Sequence, residues 1–212
     1  LGARRAPAVQ ADPLVGRVAD DVIAAGGRVV VAGNERLVAN PEDAREAATE
    51  DARDSMGDLL DRHEGHPARA TRVGQFTRNR SYEEVTRGWG SAPISEVLSY
   101  GERSTLSEGL TAVDAPSRFA EATTALAAAD ANVVVHVTGD GIPSGHPLVP
   151  VVKVTGDPGT AVALPDDIDL LARQADSEQL LERLLDVANG EMCLAEEHSL
   201  TEFAITRVGP SM

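Results

Sequence analysis

The stretch Asn132-Val-Val-Val-His-Val137 decides the fold class of this chain, because it is the clearest strand in the sequence. An apolar run of this length, rich in β-branched residues and bounded by turn-forming residues, is typical of a strand buried on both faces. A turn-rich loop, residues 138–147, separates it from a second apolar run at residues 148–154. Aromatic residues make up only 3% of the chain, so its core must consist of small aliphatic side chains. Such a core suits helices packed on short buried strands.

The same pattern occurs upstream of this stretch. Residues 28–32 and 110–114 are further strand-like runs. Apolar residues at helical spacing accompany them in residues 14–25, after Pro116 and after the Asp176–Gln179 capping box. Strands that alternate with helices predict an α/β fold, here a three-layer sandwich with a mostly parallel sheet.

We expect strands 28–32, 110–114 and 133–137 to lie in one sheet, so that their carboxyl ends share a rim. Residues 1–212 are interpreted as a single domain, with sub-parts 1–62 and 91–212 joined by an irregular segment, residues 63–90. The fold is Rossmann-like, but the glycines after residue 137 do not have the dinucleotide fingerprint, and a strand follows where that motif needs a helix. We therefore expect no nicotinamide cofactor.

The charge of the chain excludes several classes of partner. The net charge is −15, and Lys153 is the only lysine beside 18 arginines. This balance argues against nucleic acid and anionic membranes as partners. No apolar run reaches the roughly 18 residues that a membrane span needs. The single cysteine, Cys193, excludes an internal disulfide and a zinc framework. With no apolar leader after Arg4-Arg5, we expect a cytoplasmic location.

Polar residues follow each of the three predicted strands. Asn34 and Glu35 follow the first, Asp114 ends the second, and a loop from Thr138 follows the third. In open α/β sheets, ligands bind beyond the carboxyl ends of the strands. We therefore take Asn34 and Glu35 as candidate substrate-binding residues and Asp114 as a candidate catalytic residue.

The loop Thr138-Gly-Asp-Gly-Ile-Pro-Ser-Gly-His-Pro147 is the most unusual decamer in the chain. Its glycines allow backbone amides to approach an anion closely, and its side chains add polar contacts. The alternative is a wide strand-to-strand connection that needs glycine for turning. On the first reading, His146 is a candidate catalytic residue, and the candidate substrate-binding residues are Thr138, Gly139, Asp140, Gly141, Ser144 and Gly145.

Three further features carry ionisable groups. Lys153 lies in an apolar run, where a charge is costly unless it is paired or used, and it is a third candidate catalytic residue. The acidic block at residues 166–169 provides Asp167 and Asp169 as candidate ligands for a hard cation, although a solvated helix start has the same composition. His63-Glu-Gly-His66 lacks the i, i+4 spacing of zinc proteases and does not indicate a zinc site.

Several blocks of the chain, in the same order, resemble the carboxy-terminal part of the altronate/galactarate dehydratase family. They cover most of the chain and include Asp12–Gly27, Pro93–Glu102, Gly109–Pro116, Thr138–Gly145, Pro150–Gly156, Asp166–Asp169, Ala188–Gly190 with Glu196, and Phe203–Gly209.

This resemblance implies a carbon–oxygen lyase that removes water from a sugar acid such as altronate or galactarate. It also implies a divalent metal (iron, manganese or magnesium), an amino-terminal metal-binding domain or subunit as partner, and a homo-oligomer. Lys153 and the Thr138–Gly145 loop would face the substrate carboxylate, and the region of Asp114 and Asp169 would shape the pocket. The alternatives are a sulfolactate sulfo-lyase-like subunit, from a related branch, and a non-catalytic binding subunit that keeps the fold.

The chain departs from the family at positions that carry chemistry. Asp140 stands where the family has an arginine, and Leu171 stands where it has an asparagine. Asp140 would repel a substrate carboxylate that an arginine would pair with. We therefore expect that the chain alone does not dehydrate aldonates at a useful rate.

The acidic, lysine-poor composition predicts a dependence of stability on salt. A halophilic protein has this composition, and so does the product of a GC-rich genome. If salt selected the charge, the melting temperature should rise markedly between dilute buffer and 1 M KCl, where the Debye length falls to about 3 Å and carboxylate repulsion is screened. Thermal unfolding followed by circular dichroism measures this shift. A melting temperature that is flat or falls with KCl would contradict the halophilic interpretation.

Overall fold

A computed structural model of the protein describes residues 10–64, 77 and 80–205. The strands are β1 (Arg28–Ala32), β2 (Ile94–Leu98), β3 (Gly109–Val113), β4 (Val134–Val137), β5 (Val151–Thr155) and β6 (Leu170–Leu171). The helices are α1 (Asp12–Ala24), α2 (Glu35–Val38), α3 (Pro41–Ala47), α4 (Arg53–His63), α5 (Tyr82–Thr86), α6 (Phe119–Ala128), α7 (Pro158–Ala163), α8 (Ser177–Ala188) and α9 (Leu194–Glu197). A 3-10 turn, Arg87–Trp89, follows α5.

The strands form two parallel three-stranded sheets, with the orders β1-β3-β2 and β4-β5-β6. The α/β fold with parallel strands is therefore confirmed. The expectation of a single sheet is wrong, because strand 134–137 pairs with β5 and not with β1. The cause lies in tertiary pairing: among the described residues, β1 forms its ladder with β3, and β4 forms its ladder with β5.

The same helices cover both sheets. Ala125 of helix α6 and Ala129 directly after it pack near β1, while the first residues of α6, Phe119 and Ala120, pack with Val134 of β4. On the opposite face, α1 contacts β1 and packs, together with α8, against sheet β4-β5-β6. The two sheets thus form one middle layer between two layers of helices.

The middle layer is interrupted between β1 and β4. A cavity of roughly 630 Å³ lies there, lined by all five residues of β1 and by residues 133–137. We call this cavity the interstrand slot; its walls are completed by α1, α6 and α8. The central strand β5 is buried along its whole length, whereas most residues of β1 and β4 remain partly exposed. The slot therefore separates two strands that would otherwise form the middle of the layer.

Local signals explain most of the helix boundaries. The Asp176–Gln179 capping box begins α8, as the sequence predicts. A second capping box, Ser81 with Glu84, begins α5 inside the segment 63–90 that was expected to be irregular, so that expectation is wrong for its last part. Pro41 begins α3, which ends at Ala47 because Ala48 leaves the helix and pairs with Ile94 of β2.

No helix in the described ranges is long and apolar enough to cross a membrane.

Two glycines in helices provide a matched test of this packing. A Cβ on Gly16 of α1 would overlap the carbonyl oxygen of Arg87, whereas a Cβ on Gly57 of α4 would meet nothing within 4 Å. Both substitutions by alanine gain about 0.5–1 kcal/mol of helix propensity. We expect Gly57→Ala to stabilise by that amount and Gly16→Ala to destabilise by about 1–3 kcal/mol, as overpacking does. Urea unfolding measures both; equal effects would contradict the close contact between α1 and the Arg87–Trp89 turn.

Candidate functional site

A cluster of four polar side chains lies at the carboxyl ends of β1 and β3. His63 Nε2 lies 2.7 Å from Asp114 Oδ1, and Asn34 Nδ2 donates to the same oxygen at 2.8 Å. Arg62 Nη2 lies 3.2 Å from Asp114 Oδ2. Asn34 Nδ2 is also 3.3 Å from His63 Nε2. Asp114 thus organises a cluster to which β1, β3 and α4 all contribute.

Backbone contacts fix the two loops that carry this cluster. The amides of Gly33 and Asn34 both donate to the carbonyl of Ala115, at 3.0 and 2.9 Å. Glu35 is buried, and its carboxylate accepts the amide of Ser117 at 3.1 Å and the hydroxyl of Ser117 at 2.8 Å. Glu35 therefore holds the loop after β3. Its predicted substrate-binding role has no support in these contacts.

The cluster has the geometry of an oriented base. Asp114 is the inner member, with 12% of its side chain exposed, whereas the His63 side chain is 31% exposed. The short contact to a carboxylate favours the tautomer with the proton on Nε2, which leaves Nδ1 as the acceptor. A carboxylate that holds an imidazole in one tautomer is the arrangement by which proteins prepare histidine for proton transfer.

Lys153 lies elsewhere, on the central strand β5. Its side chain is wholly buried, and its Nζ has no hydrogen-bond partner within the described residues. The nearest carboxylate oxygen is Asp167 Oδ1, at 3.8 Å. Burial lowers the pKa of Lys153, and the neighbouring carboxylates of Asp167 and Asp169 oppose this shift only in part. The structure therefore places a poorly solvated amine in the second sheet.

Asp169 has structural partners for both carboxylate oxygens. Its Oδ2 accepts the backbone amide of Lys153 at 2.8 Å. Its Oδ1 accepts from the amide of Leu194 at 3.1 Å and from Arg183 Nη2 at 3.3 Å. A carboxylate that is saturated by N–H donors and lies beside a buried ammonium does not fit a divalent cation. In the part of the chain that the structure describes, no three His, Cys, Asp or Glu side chains are grouped to hold a metal ion.

The glycine-rich loop is held from both sides. The amide of Thr138 donates to Val154 O at 3.0 Å, and the Thr160 hydroxyl donates to Gly139 O at 2.6 Å. Gly141 has a φ of +68°, which favours glycine, and a Cβ there would overlap Leu164. Asp140 is exposed. These contacts support the interpretation of the loop as a turning connection, while its anion-binding role stays a prediction.

The end of the same loop contacts the carboxy-terminal segment. Ser144 Oγ donates to Glu202 Oε2 at 2.8 Å, and Gly145 O accepts the amide of Glu202 at 2.9 Å. His146 is buried, and burial lowers its pKa, so the ring is neutral at pH 7. Its Nδ1 accepts the amide of Leu148 at 3.3 Å, and its Nε2 faces the Thr124 hydroxyl at 3.3 Å. With both nitrogens occupied, His146 has the contacts of a structural residue.

The predicted site residues therefore fall into two groups. Asn34 and Asp114 are in direct contact at one sheet, whereas Lys153, Asp167 and Asp169 belong to the other sheet. Thr138 and Gly139 border the interstrand slot, as do Arg36 and Ser117 from the loops of the first sheet. The carboxyl ends of β1 and β4 thus open on the same cavity, although the strands are not paired.

The sequence did not identify His63 and Arg62 as members of the site. His63 was considered only as half of a zinc motif with His66, which lies outside the described residues. The signal that could have revealed them is their position at the last turn of a polar helix between two strands whose ends carry Asn34 and Asp114.

Comparison with known proteins shows a family relationship along almost the whole chain. A family model described as D-galactarate/Altronate dehydratase, C-terminal, matches residues 5–211. Altronate dehydratase of Bacillus subtilis (strain 168) is 30% identical over 226 residues, which cover 96% of this chain and 45% of the relative. Altronate dehydratase of Escherichia coli (strain K12) is 31% identical over 227 residues, with 96% and 45% covered.

A third relative has a different printed activity. The (2R)-sulfolactate sulfo-lyase subunit beta of Chromohalobacter salexigens is 28% identical over 228 residues, which cover 93% of this chain and 57% of the relative. The chain thus spans about half the length of the curated relatives that it matches.

The environment of Lys153 generates a prediction about stability. Because burial lowers its pKa in the folded state, the unfolded chain binds a proton more readily between the folded pKa and 10.5, and stability should rise with pH in that window. Lys153→Met removes the buried charge and leaves Asp167 partly hydrated. We expect this variant to be more stable than the parent at pH 7 by about 1 kcal/mol or more, with an advantage that shrinks toward pH 10.

Urea unfolding at pH 7, 8.5 and 10 measures the difference between variant and parent. Arg173→Met is the control, because Arg173 is exposed and its loss should give a difference that does not change with pH. A Lys153→Met variant that is less stable than the parent at every pH would show that the ammonium is well stabilised where it lies.

Proposed function

Because this chain belongs to the D-galactarate/altronate dehydratase carboxy-terminal family, we propose that it is the carboxy-terminal part of a sugar-acid dehydratase. The substrate class is an aldonate or aldarate such as altronate or galactarate, and the reaction is the elimination of water next to a carboxylate. The proposal includes a cytoplasmic enzyme that is completed by a further domain or subunit. The relatives support the further domain or subunit, because each extends well beyond the region that this chain matches.

The observation that carries the proposal is the contact between His63 and Asp114 at the carboxyl ends of two parallel strands. A dehydratase of this kind must remove the proton from the carbon next to the carboxylate. In the proposed step, His63 Nδ1 takes that proton while Asp114 stabilises the imidazolium that forms. The carbon–oxygen bond of the neighbouring hydroxyl then breaks, the leaving oxygen takes the proton from the His63 imidazolium and departs as water, and the enol tautomerises to a 2-oxo-3-deoxy acid.

Asn34 and Arg62 are positioning residues in this proposal. Asn34 donates to Asp114 Oδ1, the oxygen that His63 also contacts, and Arg62 lies against Oδ2. These contacts prevent Asp114 from rotating away from the imidazole. Arg62 is about half exposed, with 48% of its side chain accessible, so its guanidinium can also meet a substrate carboxylate at the rim.

A divalent metal is a further part of the proposal. The carboxylate of Asp169 is held by N–H donors, so we propose that the remaining part of the enzyme supplies the ligands. When bound, such an ion would stabilise the negative charge that develops on the substrate carboxylate. No step assigned to His63, Asp114, Asn34 or Arg62 depends on metal ligands from this chain.

A second candidate reaction rests on the similarity to the sulfo-lyase subunit. Elimination of sulfite from a sulfolactate begins with the same proton abstraction, and only the leaving group differs. The His63–Asp114 pair suits both reactions, so the substrate panel should contain both kinds of acid.

The test uses the complete enzyme, in which this chain is assembled with its remaining part. We expect His63→Gln to lower kcat for the preferred acid by about 10²-fold or more, with KM changed little, because the base acts in the transition state. His198→Gln is the matched control, because His198 is exposed at the end of α9. Formation of the 2-oxo acid from altronate and galactarate, and release of sulfite from sulfolactate, are the measurements.

Loss of activity in His63→Gln but not in His198→Gln would support the assignment. Equal activity of both variants would refute His63 as the base. Absence of any product from all three acids in the assembled, unmodified enzyme would refute the proposed reaction class.

A further inference from the structure

The interstrand slot is bordered by two rows of backbone groups that point into it. Gly27 O accepts from Gly109 N, so the odd-numbered residues of β1 face β3. The even-numbered residues, Arg28, Val30 and Ala32, therefore direct their amides and carbonyls into the slot. In β4, the amides of Val134 and Thr138 donate to Pro150 O and Val154 O, so the backbone groups of the even-numbered residues face β5. The backbone groups of residues 133, 135 and 137 therefore face the slot.

The two rows run in the same direction. At the amino ends, Arg28 Nη2 donates to Asp130 O at 3.2 Å, just before β4 begins. At the carboxyl ends, Phe119 follows the loop held by Glu35 and Ser117, and its ring lies 4.8 Å from that of His136 in β4. The strands β1 and β4 are therefore parallel neighbours across a gap.

The other two walls of the slot are apolar. Val15, Val18 and Val22 of α1, together with leucines of α8, line one face, and Ala122 and Leu126 of α6 line the other. Leu185 of α8 is 54% exposed although it lies on this wall. An occupant must be apolar on both faces and must also satisfy backbone donors and acceptors on both edges. A buried strand of a parallel sheet meets all of these requirements.

The size of the slot agrees with one strand. Strands are about 4.8 Å apart, rise about 3.3 Å per residue and fill a layer about 10 Å thick, so four residues occupy roughly 630 Å³ and five roughly 790 Å³. The slot measures roughly 630 Å³. Its volume therefore corresponds to four or five residues, which is also the length of the strands on either side.

We propose that the interstrand slot receives an apolar β-strand of four or five residues, parallel to β1 and β4, from the part of the enzyme that this chain does not span. This inference rests on the proposed function in one respect, because it takes the rest of the dehydratase as the source of the strand. Insertion joins the two three-stranded sheets into one continuous seven-stranded sheet, a form of recognition in which main-chain hydrogen bonds give the affinity.

Other occupants fit the slot less well. A small apolar molecule would leave both rows of backbone groups unpaired, which is costly in a buried site. A sugar acid would bury its hydroxyls and carboxylate against valine and leucine side chains. A second copy of this chain has, in its described residues, only strands that already belong to its own sheets.

Amide hydrogen exchange, resolved by residue with NMR, tests the proposal on the chain alone and with the remainder of the enzyme added as a separate polypeptide. In the chain alone, Val30, Ala32, Val135 and Val137 should exchange quickly, while Val29, Val31 and His136 exchange slowly. With the second polypeptide at 100 times its dissociation constant, the fast set should slow by about 100-fold.

Two outcomes of the exchange experiment would overturn the proposal. Slow exchange of the fast set in the chain alone would show that β1 and β4 pair directly or that the chain fills its own slot. Fast exchange that persists in the assembled enzyme would show that no strand enters.

Substitution in the wall gives a second measurement. Ala122→Trp places an indole in the slot from α6, whereas Ala128→Trp adds the same group at an exposed position of the same helix. We expect the first to weaken association with the remainder of the enzyme by at least about tenfold, or 1.4 kcal/mol, and the second to leave it unchanged. Equal affinities would contradict the proposal, provided that far-ultraviolet circular dichroism shows both variants folded.

These readouts are independent of catalysis. An assembled enzyme that protects the alternate amides but forms no 2-oxo acid would retain the strand insertion and refute the dehydratase reaction. An active enzyme without this protection would retain the dehydratase reaction and refute the strand insertion.

Discussion

The candidate site depends on the hydrogen bonds that join the loops after β1 and β3. The buried carboxylate of Glu35 accepts both the amide and the hydroxyl of Ser117, and two amides of the first loop converge on the carbonyl of Ala115. Such charge-assisted contacts are stronger than hydrogen bonds between neutral groups. They fix the loops that follow the paired ends of β1 and β3, where Asn34 donates to Asp114. Glu35, which the sequence predicted as a substrate-binding residue, thus holds the two loops in place.

The same division between support and chemistry occurs in the second sheet. Asp169 connects β5, α8 and the start of α9 through three donors, and Arg183 also pairs with Glu191. The acidic block that resembles a cation site is therefore a junction of secondary-structure elements. In a chain with a net charge of −15, carboxylates are available in excess, and the buried carboxylates of Glu35 and Asp169 accept backbone amides.

The sequence predicted the elements that depend on local interactions and missed those that depend on contacts between residues far apart in the chain. Strands 28–32 and 134–137 were predictable because β-branched runs and flanking turns are local signals, and the Asp176–Gln179 capping box is also local. The interruption between β1 and β4 was not predictable, because no local pattern states which strand edges meet. The partnership of His63 with Asp114 joins residues 51 positions apart and depends on how α4 lies on its sheet. For a related reason the sequence could not show the surroundings of His146, whose ring nitrogens contact the Thr124 hydroxyl and the amide of Leu148.

The burial of Lys153 has a consequence for the surface of the protein. Since the chain has no other lysine and this one is wholly enclosed, it offers no lysine amine to the solvent. Acetyl or ubiquitin groups, which are attached to lysine amines, cannot be added to the folded chain at a lysine. The amine becomes accessible only when the second sheet opens, so acylation of Lys153 records the rate of that opening. The rate at which Lys153 is acylated thus measures how often the fold opens at this sheet.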